Sequence, residues 1–176
     1  MSEKYKTHPN GTFFVTLTVV GWIDIFTRFE YADLLIKNLN FCIDNKGLEV
    51  YAYVIMPSHI HMVAYSARNL GDTLRDFKSY TAKQLMKAIS ENPQESRKEW
   101  LAYMFQYFAG KEKGNRQNHF WQDGNHPIAL DGKPDWFQQK VRYIHQNPVS
   151  ARMVDEPEHF PYSSAYPLNQ LKIVEY

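Results

Sequence analysis

Leu48-Glu49-Val50-Tyr51-Ala52-Tyr53-Val54-Ile55-Met56-Pro57-Ser58-His59-Ile60-His61-Met62-Val63-Ala64-Tyr65 is the stretch around which this chain is organised. Two runs rich in β-branched and aromatic residues, 48–56 and 59–66, flank the turn residues Pro57 and Ser58. That pattern predicts a β-hairpin. Side chains alternate across a strand, so His59 and His61 share one face and Ile60 takes the other. Two imidazoles side by side on a rigid strand make half of a metal site. A polar sheet face, or a chance pairing among the 7 histidines of the chain, produces the same spacing, and the pair alone leaves these readings open.

Working outward, Phe13 to Val20 is β-branched and aromatic and follows the turn signal Asn10-Gly11, which predicts a first strand. Ala32, Leu35, Ile36, Leu39 and Ile43 have helical spacing between Glu30 and Lys46, and Gly47 is placed to end that helix. A second helix is expected from about Leu70, capped by Asp72 or Thr73, with Leu74, Phe77, Thr81, Leu85 and Ala88 as its buried stripe. Asn92-Pro93 breaks it, and Ser96 to Phe108 predicts an inserted helix. Lys111 to Asn118 is polar and contains Gly114, as a loop does. Phe120 to Leu130 is strand-like with turns. A last helix is expected from Pro134 to about Asn147, because Pro148 disfavours helical geometry in the residue before it. The tail from Val149 to Tyr176, rich in Pro and Tyr, is expected to wrap the surface irregularly. The order is β-α-β-β-α-β. It predicts an α+β, ferredoxin-like (RRM-like) core, an antiparallel sheet with helices on one face, carrying a helical insertion and an irregular tail. No composition shift divides the chain, so residues 1–176 are read as one domain.

Composition narrows the class. With 44% hydrophobic and 22% charged residues the chain is an ordinary globular one. A net charge of +1 gives no global sign of a polyanionic partner, so any nucleic-acid surface must be a local patch. The single cysteine, Cys42, excludes an intramolecular disulfide and Cys-rich zinc sites; among apolar helix positions it reads as a small buried hydrophobe. The start is polar, and no run approaches the ~20 apolar residues of a membrane span, so a cytoplasmic protein with no membrane partner is expected. Aromatics at 15% suit a dense core or base-stacking surfaces equally.

On the last helix Phe137, Val141 and Ile144 should face the core, while Lys140, Tyr143 and Asn147, at i, i+3 and i+7, form an adjacent stripe. Tyr143 then has two readings: an amphipathic residue at the core edge with a wet hydroxyl, or a nucleophile with Asn147 one turn on. His145 falls nearly opposite and does not join them.

Val54-Ile55-Met56-Pro57-Ser58-His59-Ile60-His61-Met62-Val63, His119-Phe120-Trp121-Gln122-Asp123-Gly124 and Tyr143-Ile144-His145-Gln146-Asn147-Pro148-Val149 resemble, in this order, the signature stretches of the single-tyrosine HUH transposases. The likeness is to the REP-associated tyrosine transposase branch and covers roughly residues 10–166. Ser58 stands where that family often has Asn, Asp or Glu, and the region from about 90 to 118 is longer than the minimal family needs. The resemblance implies that His59 and His61 bind a divalent ion, that Asn147 completes the site and that Tyr143 is the nucleophile. A mixed nitrogen and oxygen donor set suits Mg²⁺ or Mn²⁺ better than tetrahedral zinc. The implied activity is that of a metal-dependent single-stranded DNA endonuclease and strand transferase, a transposase working through a 5′-phosphotyrosine.

The partner this implies is single-stranded or hairpin DNA, with Lys78, Lys83, Lys87, Lys111, Lys113, Arg116, Lys140 and Arg142 as candidates for backbone contacts. A solvated basic helix surface explains the lysines of 78–87 as well. Tyr80 is the rival nucleophile, and Trp121 and Gln122 read either as base-seating or as structural. Monomer and homodimer both remain open. Two other functions compete: a domesticated hairpin-binding protein that does not cut, and a metallohydrolase using the histidines with water as nucleophile.

Overall fold

A computed structural model describes residues 7–111 and 118–176. Strand β1 (Pro9–Thr18) leads to α1 (Phe29–Lys46), the hairpin β2 (Leu48–Met56) and β3 (His59–Asn69), then α2 (Leu70–Glu91), α3 (Lys98–Lys111), the two-residue β4 (Ile128–Ala129) and α4 (Pro134–Ser150). The sheet runs β2-β3-β1-β4 and every pairing is antiparallel. This is the expected ferredoxin-like order.

The helices were expected on one face of the sheet, but both faces are covered, because the apolar residues of α4 pack on the pleats opposite α1 and α2. Phe13, Val15 and Leu17 of β1 with Ile60 and Met62 of β3 pack against Leu35 and Leu39 of α1 and Leu74, Phe77 and Leu85 of α2. The opposite pleats, Phe14 of β1, Val54 and Met56 of β2 and Val63 of β3, pack with Val141 and Ile144 of α4 in a second, smaller core. β2 serves both layers through a bulge between Val50 and Ala52, which shifts its alternation by one residue. Leu48 and Val50 therefore share a layer with Tyr53 and Ile55.

Several boundaries differ from expectation for local reasons. α2 begins at Leu70, so its cap is Asn69, whose Oδ1 accepts the Gly71 N–H at 2.9 Å, and Asp72 and Thr73 lie inside the first turn. α4 continues through the buried Pro148 to Ser150; a proline in the last turn removes only its own donor, and the Ala151 N–H still reaches the Asn147 carbonyl at 2.9 Å. Residues 120–130 follow the edge of β1, but Gly124 (φ 79°) and His126 (φ 44°) turn the chain, leaving only Ile128–Ala129 as strand. Gly47 ends α1 in the left-handed conformation as expected. Cys42 is buried.

The tail is irregular yet tied to the sheet. Ile55 N–H donates to Tyr162 O at 2.8 Å, Ser164 N–H to Tyr53 O at 2.9 Å and Val174 N–H to Val50 O at 2.9 Å, so it closes the free edge of β2. No helix among the described residues is long and apolar enough to cross a membrane.

Ile144 is fully buried in the smaller core. Truncation to alanine is expected to cost about 2–5 kcal/mol, read as a lower urea midpoint at an unchanged m-value. An unshifted midpoint would show that α4 does not depend on this contact.

Candidate nucleic-acid-processing site

Antiparallel pairing of β1 with β3 sets Thr16 opposite His61 and Thr18 opposite His59. The pleat turns both histidines toward the α4 layer, and their rings lie 4.6 Å apart at 73°. His61 is 7% exposed and His59 half-buried. Each has one ring nitrogen engaged: His61 Nδ1 with Thr16 Oγ1 at 2.8 Å, and His59 Nδ1 with Ser58 Oγ at 3.2 Å. If Nδ1 carries the proton, Nε2 of both rings presents its lone pair, the arrangement that orients imidazole ligands. Burial lowers both pKa values. His61 is pushed down to about 3, by desolvation first and then by His59 and the Lys140 ammonium. Both rings are thus neutral near pH 7, the state in which imidazole binds a cation.

α4 brings Tyr143 to this pair. Its ring centroid is 5.4 Å from that of His61 and 5.8 Å from that of Phe14. The anchoring is that of an amphipathic helix: Val141 and Ile144 are buried, while Tyr143 is 47% exposed at the layer's edge. Lys140 Nζ stands 4.7 Å over Phe14 and 5.5 Å over Tyr143. Asn147 follows Tyr143 by one turn of α4. Asn147 Nδ2 donates to the Tyr143 carbonyl at 2.8 Å, which leaves Oδ1 as an acceptor. His145 turns elsewhere, its Nε2 lying 2.9 Å from Ser164 Oγ.

The two neutral imidazoles, each with one ring nitrogen engaged, fit half of an open divalent site, and Asn147 Oδ1, one turn after Tyr143 on α4, is the amide oxygen that would complete it. Among the described residues no group of three or more His, Cys, Asp and Glu is assembled, so the closed cage of a structural zinc is not built. Substrate oxygens and water would supply the remaining positions.

The basic residues singled out in the sequence separate in space. Lys140 adjoins the site, whereas Arg142 is exposed on the side of α4 that carries His145 and faces away from it. Lys78 holds the 122–125 turn, its Nζ donating to Gln122 O at 2.5 Å and Gly124 O at 2.9 Å. Lys83 and Lys87 are exposed on α2, across the sheet from Tyr143, and Lys87 pairs with Glu91 at 3.9 Å. Lys111 lies 4.3 Å over Tyr107. Lys113 and Arg116 fall outside the described residues.

Tyr80 is exposed on α2, in the groove with Phe41, and does not share the histidines' face. Trp121 is buried, stacked on Phe26 and donating Nε1–H to Thr81 Oγ1 at 3.1 Å, which is the structural reading. Gln122 Nε2 reaches Val19 O at 3.4 Å. Three contributors were not singled out from sequence: Thr16, Phe14 and Trp22. Thr16 was legible as a hydroxyl on the same pleat as Phe14; Trp22, whose ring lies 5.3 Å from that of His59, depends on a turn geometry that spacing does not reveal.

No family model matches this sequence, and no curated protein matches it either. Among solved structures, that of a REP-associated tyrosine transposase bound to a REP hairpin is similar with a TM-score of 0.62. The likeness covers 93% of this chain and 82% of that one at 20% identity. The two chains share a fold.

Folded His61 takes a proton only near pH 3, whereas an unfolded histidine takes one near 6.5. Between those values the unfolded chain holds the extra proton, so His61's contribution to stability is complete above about pH 6.5 and is lost as pH falls toward 3. Ring ¹³C shifts of the metal-free protein should show His61 still neutral at pH 5; a midpoint near 6.5 would overturn this burial argument.

Proposed function

We propose that this protein is a metal-dependent single-stranded DNA endonuclease and strand transferase that cleaves and rejoins DNA through a 5′-phosphotyrosine on Tyr143. The observation that carries the reading is the placement of an exposed tyrosine 5.4 Å, ring to ring, from one of a pair of neutral histidines, on a helix pinned to their face. The shared fold with a transposase bound to a REP hairpin supports it, and a DNA hairpin is the recognition element inferred with it.

A phenol has an ordinary pKa of about 10 and needs assistance to attack a phosphodiester at neutral pH. Tyr143 Oη would form a bond to phosphorus while the bond from phosphorus to the 3′-oxygen breaks. The phenolic proton passes to water, which reaches the half-exposed ring, and the departing oxygen is protonated from solvent. Lys140, over Phe14 and Tyr143, places positive charge where the non-bridging oxygens gather. His59, His61 and Asn147 are the residues that would hold Mg²⁺ or Mn²⁺. A bound ion supplies Lewis-acid polarisation of the phosphate and charge neutralisation at the leaving oxygen. Thr16 and Ser58 orient the imidazoles. The phosphotyrosine retains the phosphodiester energy, so attack by a 3′-hydroxyl rejoins strands without ATP.

The second reading is a hairpin-binding protein that does not cut, favoured by a protein donor set without a carboxylate. Denaturing electrophoresis with labelled hairpin DNA and Mn²⁺ or Mg²⁺ decides between them. A covalent adduct that requires the ion is expected; Tyr143→Phe should abolish the adduct, slow cleavage by at least about 10³-fold and leave hairpin binding largely intact. Clean binding with neither adduct nor cleavage in either metal would establish the second reading, and cleavage surviving Tyr143→Phe would point to water as nucleophile.

A further inference from the structure

Exposed aromatic residues lie on both sides of the contact between Gly21 and Phe108, Trp22 beside the histidines and a stripe on the inserted helix α3. Trp22 is 60% exposed while its ring meets that of His59 at 5.3 Å and 74°. Trp22 has φ +57° and follows Gly21 at φ +61°, two successive left-handed residues. For a tryptophan that conformation is a genuine outlier, and such strain persists only where the surroundings impose it. The surroundings are α3: a Cβ on Gly21 would come within 2.5 Å of the Phe108 ring, so this turn sits directly on the helix. Phe108 in turn meets Tyr107 at 5.5 Å, and Tyr107 lies nearly parallel to Tyr103, 6.2 Å away at 23°.

Trp100, Tyr103 and Tyr107 fall at i, i+3 and i+7, one stripe of α3, and all are exposed. The buried side of the helix is Leu101, Phe105 and Ala109, so the stripe is surplus to core packing. It is flanked by cations: Lys111 Nζ lies 4.3 Å over Tyr107, and Arg97, which is also ion-paired with Asp24 at 2.6 Å, lies 6.0 Å over Trp100.

We propose that Trp22 and the Trp100-Tyr103-Tyr107 stripe form a stacking platform that carries the single-stranded DNA flanking the cleavage site. The proposal rests on the reading of the histidine–tyrosine site as a DNA-processing centre and adds the surface on which its substrate lies. Single-stranded nucleic acid suits this chemistry because every base offers a π-face to an aromatic ring, while adjacent cations meet phosphates. Seven residues of helix span about 10 Å, the length of about three stacked nucleotides. Trp22, against His59, would seat the base nearest the reacting phosphate.

The test compares a blunt DNA hairpin with the same hairpin bearing about ten unpaired nucleotides at its 5′ or 3′ end, by fluorescence anisotropy with the full chain. The wild type should gain affinity from at least one extension. Tyr103→Ala with Tyr107→Ala, and separately Trp22→Asn, should reduce that gain about tenfold. Asparagine tolerates positive φ, so the turn survives, and Tyr103→Phe with Tyr107→Phe should restore the gain by keeping the rings. A gain that is the same in wild type and alanine variants overturns the platform while leaving the cleavage site standing. Absence of hairpin binding and of adduct in the wild type would instead defeat the reading beneath it. If the alanine variants shift a wild-type dimer to monomer in light scattering without DNA, the stripe is a contact between copies and the proposal falls.

Discussion

The register that sets Thr16 opposite His61 is the constraint from which the rest of the molecule follows. Strand side chains have a period of two, so slipping β1 against β3 by one residue would carry Phe14 and Val15 to each other's layers and strip His61 of its hydroxyl partner. The register is held by apolar residues on both sides, Ile60 and Met62 in one core and Val63 in the other. A polar pair can sit at the end of such a strand because the hairpin turn lets solvent in beside His59. His61, one pleat deeper, is closed off and held neutral.

That arrangement divides labour between layers. α1, α2 and the sheet make a core that is complete without α4. α4 contributes little to the larger core and brings Tyr143 and Lys140 to the open face. The two imidazoles, the proposed ligands, are on a central strand with one nitrogen of each engaged. Tyr143, the proposed nucleophile, is on the layer's exposed edge. A fold of this kind is used for many purposes, and it is the juxtaposition of these particular side chains that gives the site its chemistry.

Much of this was legible beforehand. The alternation His59-Ile60-His61 places both rings on one face whatever the rest of the fold does, and the i, i+3, i+7 spacing groups Lys140 with Tyr143 and Asn147. The covering of both sheet faces was written less openly. Val50 to Met56 lacks polar alternation, as a strand buried on both sides should, but the bulge at Val50–Ala52 blurs which residue belongs to which layer. Composition could not separate the lysines: Lys78 and Lys140 read alike in sequence, yet one ties down a turn and the other overlooks the tyrosine. Trp22 was hidden because its position depends on two left-handed residues and on the approach of a helix some eighty residues away in sequence.

The smaller core has a kinetic meaning. α4 carries three buried side chains, against six in α1 and seven in α2, and the layer with the smaller buried surface is the one expected to open first by local unfolding. Amides of α4 should exchange with solvent through this partial opening, while those of β1 and β3 wait for the whole chain to come apart. Were such an opening to occur, it would carry Tyr143 away from the histidines, and a molecule bound across α4 and β3 together would oppose it.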